Sequence, residues 1–277
     1  MPIHLHRPVI ALSTALRAVV ALAMLALVGL GFAGCETRLQ GTRHELALGE
    51  HQLSIQVPDG WQVRSVGREV RVSHGNVAFR LGDLGPAGPE GIQREVERAR
   101  ALWQKGQDRE ARRVLKNVPV PDTLFRNQVE RTAFWAAWSE VSDAPEGADP
   151  ALIDEAFERI RANVAAIARP DLQVLAATVL NQIEPAAQHD VAASHARLVA
   201  GREAVVFRVW DQLTHRHPRR VAILFDKGYA LKLDTESGSM NLAGPAFEGL
   251  LDSLRFVAPV PAGAPAMSGG PAPGDPN

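Results

Sequence analysis

Cysteine occurs once in the 277 residues, tyrosine once, and aromatic residues make up only 5% of the chain. A lone cysteine excludes an intrachain disulfide framework and any cysteine-rich zinc site. Net charge is lacking too. Thirty Lys+Arg face 31 Asp+Glu, a formal −1 at pH 7, which leaves no global field to steer nucleic acid. Lysine is scarce, 4 against 26 arginines, a bias that points to genome base composition rather than to function. Catalytic signatures are missing as well: neither Ser194-His195 nor Ser253 stands in a G-x-S-x-G elbow or an S-x-x-K motif. What the chain has is 46% hydrophobic and 22% charged residues, the balance of a folded body. Its length allows one or two domains with a sizeable core. The chain therefore reads as non-enzymatic, with no cofactor and no metal centre, and a binding role is the most its residues support.

An apolar run extends from Pro8 to Phe32, interrupted only by Arg17 and small polar residues. It fits a transmembrane helix or a secretion signal, and its end decides between them. Phe32-Ala33-Gly34-Cys35 sets two small residues before the cysteine and resembles the lipobox of bacterial lipoprotein precursors, with Phe32 where Leu is usual. The resemblance implies a diacylglycerol thioether on Cys35, cleavage before it, and acylation of the new amino group by a chain such as palmitate. Each buried CH₂ contributes about 0.8 kcal/mol, so two or three acyl chains make a stable anchor. An uncleaved signal anchor is the alternative, but the only cysteine falls at this one position. Removing residues 1–34, which hold two arginines and no acid, leaves 28 basic against 31 acidic side chains. Glu36 follows in place of the Asp that retains lipoproteins at the inner membrane in enterobacteria. The expected location is the cell envelope, at the outer membrane facing the periplasm.

After a lipidated linker at 35–44, residues 45–89 read as strands. Leu46 and Leu48, then Leu53, Ile55 and Val57, alternate with polar residues. Pro58-Asp59-Gly60 is turn chemistry, and a second turn at Ser73–Asn76 contains Gly75. Residues 90–190 shift to helical spacing. Val96, Ala99 and Trp103 mark a first helix, and Ala111, Val114 and Leu115 a second. Pro121-Asp122 opens a third, carrying Phe125, Val129, Ala133 and Ala136. Asp149-Pro150 starts the clearest helix, whose Ile153, Phe157, Ile160, Val164 and Ile167 form one stripe. Leu172, Leu175, Val179 and Ile183 form the next. Asp190 and His195 read as linker, and residues 191–257 return to strands, a meander of 204–210, 220–225 and 229–233. A closing helix over Pro245–Phe256 turns Phe247, Leu250, Leu251 and Leu254 inward. The Pro/Gly-rich tail, 258–277, reads as disordered. The expected fold class is α+β: an antiparallel-sheet α/β/α sandwich interrupted by an all-helical hairpin insertion. Three independent pieces are the alternative, but four short strands alone bury little.

Ala99-x-x-Leu102-Trp103-x-x-Gly106-x-x-x-x-Ala111-x-x-x-Leu115 resembles part of a tetratricopeptide repeat. That family implies a small residue at 106 for close helix crossing, room for packing at Ala111, and a groove for a protein partner. An ordinary helical hairpin explains the same residues, and no second copy stands 34 residues on. The flanking halves resemble PsbP-like α/β/α domains, through Leu53–Trp61 and Leu250–Phe256, with Gly201–Val206 starting a central strand. That family implies no catalytic centre.

Three constellations remain. His215-Arg216-His217, with Asp211 nearby, sets two imidazoles two apart, but Pro218 follows and no third ligand is evident. Arg94, Arg98, Arg109, Arg112, Arg113 and Lys116 alternate with acids, the pattern of a solvated face rather than a nucleic-acid site. Trp135 and Trp138, with Trp103, serve hairpin packing or, as the sharper alternative, partner recognition. The leading expectation is a scaffold or assembly module for an envelope protein partner. A membrane-tethered carrier or sensor of a small or lipidic ligand is the alternative.

Overall fold

A computed structural model gives the architecture, describing residues 41–189, 191, 193–211, 218–237 and 240–257. Its first hairpin pairs β1 (Gly41–Leu48) with β2 (His51–Pro58), Leu46 opposite Leu53. The first strand thus begins inside the stretch expected to be linker. Next come β3 (Gln62–Val66), β4 (Glu69–His74) and β5 (Val77–Pro86). Gly75, at φ +55, turns β4 into β5, as the sequence predicts.

The helices follow: α1 (Gly88–Gln104), α2 (Asp108–Lys116), a 3₁₀ turn (Asp122–Leu124), α3 (Gln128–Ser142), α4 (Pro150–Ala166) and α5 (Leu172–Ile183). Strands resume with β6 (Ala187–His189), β7 (His195–Val199), β8 (Arg202–Asp211), β9 (Arg219–Asp226) and β10 (Tyr229–Ser237). Helix α6 (Met240–Ser253) and β11 (Arg255–Phe256) close the order. The fold is α+β, and every strand pairing among the described residues is antiparallel.

The main sheet runs β3-β4-β5-β10-β9-β8-β6, with β7 also pairing β8, and a small sheet runs β1-β2-β11. Because β5 lies beside β10, the chain leaves the sheet at Pro86 and returns to the same place after more than a hundred residues. That adjacency makes the helical segment an insertion into one sheet. One sheet face packs against the small sheet and α6, through Phe79, Leu81, Leu231 and Leu233 against Ile55, Phe247 and Leu250. The other face carries α5, whose Ala176, Ala177, Val179 and Leu180 meet Val205, Phe207, Val221 and Ile223.

Helices α1 to α4 hold a core of their own. Ile153, Phe157, Ile160 and Val164 are each at most 4% exposed, so the predicted α4 stripe faces inward. Asp149 caps this helix by accepting the Ala151 N–H at 3.0 Å, with Pro150 following.

Elsewhere the sequence expectation needs correction. The third helix does not open at Pro121-Asp122. Asn127 is its cap, accepting the Glu130 N–H at 2.9 Å, while Glu130 reaches back to the Arg126 N–H at 3.0 Å. The buried stripe is accordingly Phe134, Ala137, Trp138 and Val141, and Val129 is 79% exposed. Helix α5 belongs to the sandwich rather than to the insertion. It rests on a sheet, so its alanines make the contact, while Ile183 is 38% exposed. Strand β6 falls within the span expected to be helical, and α6 starts at Met240 with Pro245 inside it.

Gly106 also has a different role from the one the repeat resemblance implies. A Cβ there would meet nothing within 4 Å, so no helix crosses close to it. It sits at φ +73, donating to Trp103 O at 2.8 Å, while Gln107 N donates to Leu102 O at 3.0 Å. This is the Schellman end of α1, which requires the left-handed conformation.

Candidate functional site

Cys35, the expected lipid site, lies outside the described residues, as do Asp190, His215, Arg216 and His217. Among the described residues no group of three or more His, Cys, Asp or Glu is placed to hold a metal. No helix among them is long and apolar enough to cross a membrane. Trp103 and Trp138, 8% and 4% exposed, lie in the helical core. Trp103 meets Phe157 edge-on at 6.5 Å and Trp138 lies 5.1 Å from Phe134. Only Trp135 is half-buried, its ring 6.1 Å from that of Trp138. The structure therefore brings the three tryptophans together as packing and leaves one of them partly open. His195 starts β7 instead of a linker. Ser253 Oγ donates to Leu250 O at 2.9 Å and accepts the Gln56 N–H at 3.1 Å, fixing α6 to β2.

The arrangement that draws chemistry together was not visible in sequence. It lies where α1, the α4–α5 connection and the hairpin turns β7–β8 and β9–β10 meet. Ala87 N donates to Gly228 O at 2.8 Å. A Cβ on Gly91 would stand 2.1 Å from that oxygen, and one on Gly228 2.5 Å from Gly91 N. Two glycines thus let the start of α1 seat directly on the β9–β10 turn. Beside this contact opens a cleft of about 580 Å³, within the range of small-ligand sites. Half-buried Ile167, Pro170, Leu172, Leu175 and Phe225 line it, with Arg169, Arg202, Glu203 and Lys227 at its edges.

Under the turn runs a buried polar chain. His51, 4% exposed, places Nδ1 3.1 Å from Asp226 Oδ2, joining residues 175 apart in sequence. On the other side of that carboxylate, Arg202 Nε lies 2.7 Å from Oδ1, an ion pair off the line of a hydrogen bond. His51 Nε2 is buried with no hydrogen-bond partner among the described residues. The Tyr229 ring meets His51 edge-on at 5.8 Å, and its hydroxyl donates to the buried Glu95 carboxylate. Burial first, then that hydrogen bond and the Glu95 charge, raise the Tyr229 phenol above its ordinary value, so it remains a donor. The His51–Asp226 pair ties the first hairpin to the last. Beyond Glu95 a second, polar groove of about 660 Å³ separates β5 from α1 and α2, its charges balanced.

The third feature is an edge. Strand β7 pairs only with β8 among the described residues, so its outer N–H and C=O groups have no strand partner. Leu198, on this strand, is 68% exposed. Beside it Gln173 of α5 donates to Ser194 O at 3.3 Å, and neighbouring Val174 is 49% exposed.

Comparison with known proteins gives no family model and no curated protein that matches the chain. Among solved structures, the chain is similar to the solution structure of cyanobacterial PsbP (CyanoP) from Synechocystis sp. PCC 6803. The identity is 9% and the TM-score 0.33, over 82% of this chain and 99% of that one. So loose a superposition carries no argument about what this chain does.

Proposed function

We propose that this chain is a non-enzymatic lipoprotein of the cell envelope, tethered through Cys35 at the outer membrane, whose body holds an envelope protein partner from the periplasmic side. The tether is supported by Phe32-Ala33-Gly34-Cys35 at the end of an apolar run. Partner binding is supported by the open outer edge of β7 with exposed Leu198 on it. An unpaired edge offers backbone groups to an extended segment, and alternate side chains set its specificity. A photo-cross-linking residue at position 198 of the lipidated chain should give one reproducible envelope adduct. An absence of adducts from positions 196 and 198 alike would overturn the reading. Cys35→Ser should release the protein from vesicles, and unchanged fractionation would remove the tether.

A second reading, a carrier of a small or lipidic ligand, is favoured by the cleft between sheet and helices. Native mass spectrometry separates the two, since a carrier co-purifies with a small molecule.

A further inference from the structure

Lys227 breaks a local rule without a local reward. It occupies φ +51 and is followed by Gly228 at φ +81, the pair of left-handed residues of a type I′ hairpin turn. The first of these positions favours Asn, Asp or Gly, because a Cβ crowds the following carbonyl oxygen there, a cost that glycine escapes and that Asn and Asp offset by local hydrogen bonds. Ala200, at φ +51 before Gly201, takes the same conformation in the β7–β8 turn, so what distinguishes position 227 is its charged side chain. Its ammonium makes no ion pair or side-chain hydrogen bond among the described residues, and the residue is exposed at the edge of the cleft. The other cations lining the cleft are engaged, Arg169 by Glu203 and Arg202 by Asp226. Of the lining acids, Glu203 is held by Arg169, and Glu90 stands 3.9 Å from Arg94. Among the described lining residues one positive charge is therefore unmatched, in a cleft that Ile167, Leu172, Leu175 and Phe225 also line, each half-buried.

We infer that this cleft binds a single-chain fatty carboxylate, its head group on Lys227 and its chain along Ile167, Leu172, Leu175 and Phe225; the inference rests on the carrier reading above. A carboxylate suits one point charge, whereas a phosphate draws several donors or a bidentate arginine. An aliphatic chain suits the floor better than a peptide does. A peptide needs backbone partners, and the Gly228 carbonyl is already taken by the Ala87 N–H.

The test uses the full lipidated chain in phosphatidylcholine nanodiscs with a diazirine-bearing hexadecanoate. Adducts mapped by peptide mass spectrometry should fall in residues 164–175 and 225–228, and unlabelled hexadecanoate should suppress them. The matching diazirine alkylamine should label there about tenfold less. Lys227→Asn, which suits the turn, should cut carboxylate labelling about tenfold while leaving the melting temperature unchanged or raised. Undiminished labelling in K227N, or equal labelling by the amine, overturns the inference. Native mass spectrometry of the purified protein separates the two levels. A bound neutral or cationic small molecule without carboxylate labelling overturns the fatty-acid assignment and leaves the carrier. Neither labelling nor any bound small molecule overturns both.

Discussion

The two faces of the main sheet come from the same strands, yet one is apolar throughout and the other only in part. Toward α6 and the small sheet, Val70, Val72, Phe79, Leu81, Val206, Leu224, Leu231 and Leu233 make a continuous dry surface, each at most 4% exposed. On the opposite face only the part under α5 is apolar. Where α5 ends, the same face becomes a lattice of ion pairs. Glu184 and Asp234 share Arg219 and Lys232, Glu236 joins Arg71 to Arg80, and Arg80 also meets Glu69. The covering layer, not the strand, sets the residue chemistry. A face that loses its cover needs water or counter-charge for its side chains.

The dry face should be the more fragile of the two. Phe247 is fully buried, its ring 6.3 Å from that of Phe79. Phe247→Ala should lower unfolding free energy by about 3–5 kcal/mol, and a urea midpoint that hardly moves would break the comparison. At the boundary, Lys232→Met leaves Glu184 and Asp234 with Arg219 alone. With the Lys232 side chain only 10% exposed, a loss on the order of 3 kcal/mol is expected, read by the same titration.

A smaller effect is expected on the acid limb. Burial pushes the Glu236 carboxyl up, but the Arg80 hydrogen bond and charge, then Arg71, outweigh it and hold it below its ordinary 4.5. A depressed carboxylate stabilises the fold fully above its unfolded value and loses that contribution as pH falls through the folded one. Stability should thus fall below about pH 4.5, and Arg80→Met should make that fall shallower in thermal melts across the acid range. Arg71→Ala should be nearly silent, within about 0.5 kcal/mol. Arg71 stands directly opposite Arg80 in the register, so its removal also relieves a like-charge pair.

These differences show where the residues speak for themselves. Helix α4 was readable because cap, proline and stripe agree within one segment. In α3 the start is set by the Asn127…Glu130 cap, five residues beyond Asp122, and that offset makes Phe134, Ala137, Trp138 and Val141 the inward stripe. The strand alternation of Leu46–Val57 and the inward leucines of α6 were equally local, and both lie in the core. The ion lattice was unreadable because Glu69, Glu184 and Glu236 come from three distant segments, and nothing near any of them announces the others. The same holds for the cleft and for the His51–Asp226 pair, made by residues 175 apart.

Sequence alone decided the periods, the caps, the turn glycines and the α+β composition, because each depends on interactions within a few residues of chain. Tertiary structure decided that β5 lies beside β10, that α5 covers part of one sheet face, and that Lys227 stands at a cleft with no ion-pair partner among the described residues. Those outcomes depend on which surfaces meet once loops have closed, and short-range preferences carry no record of that.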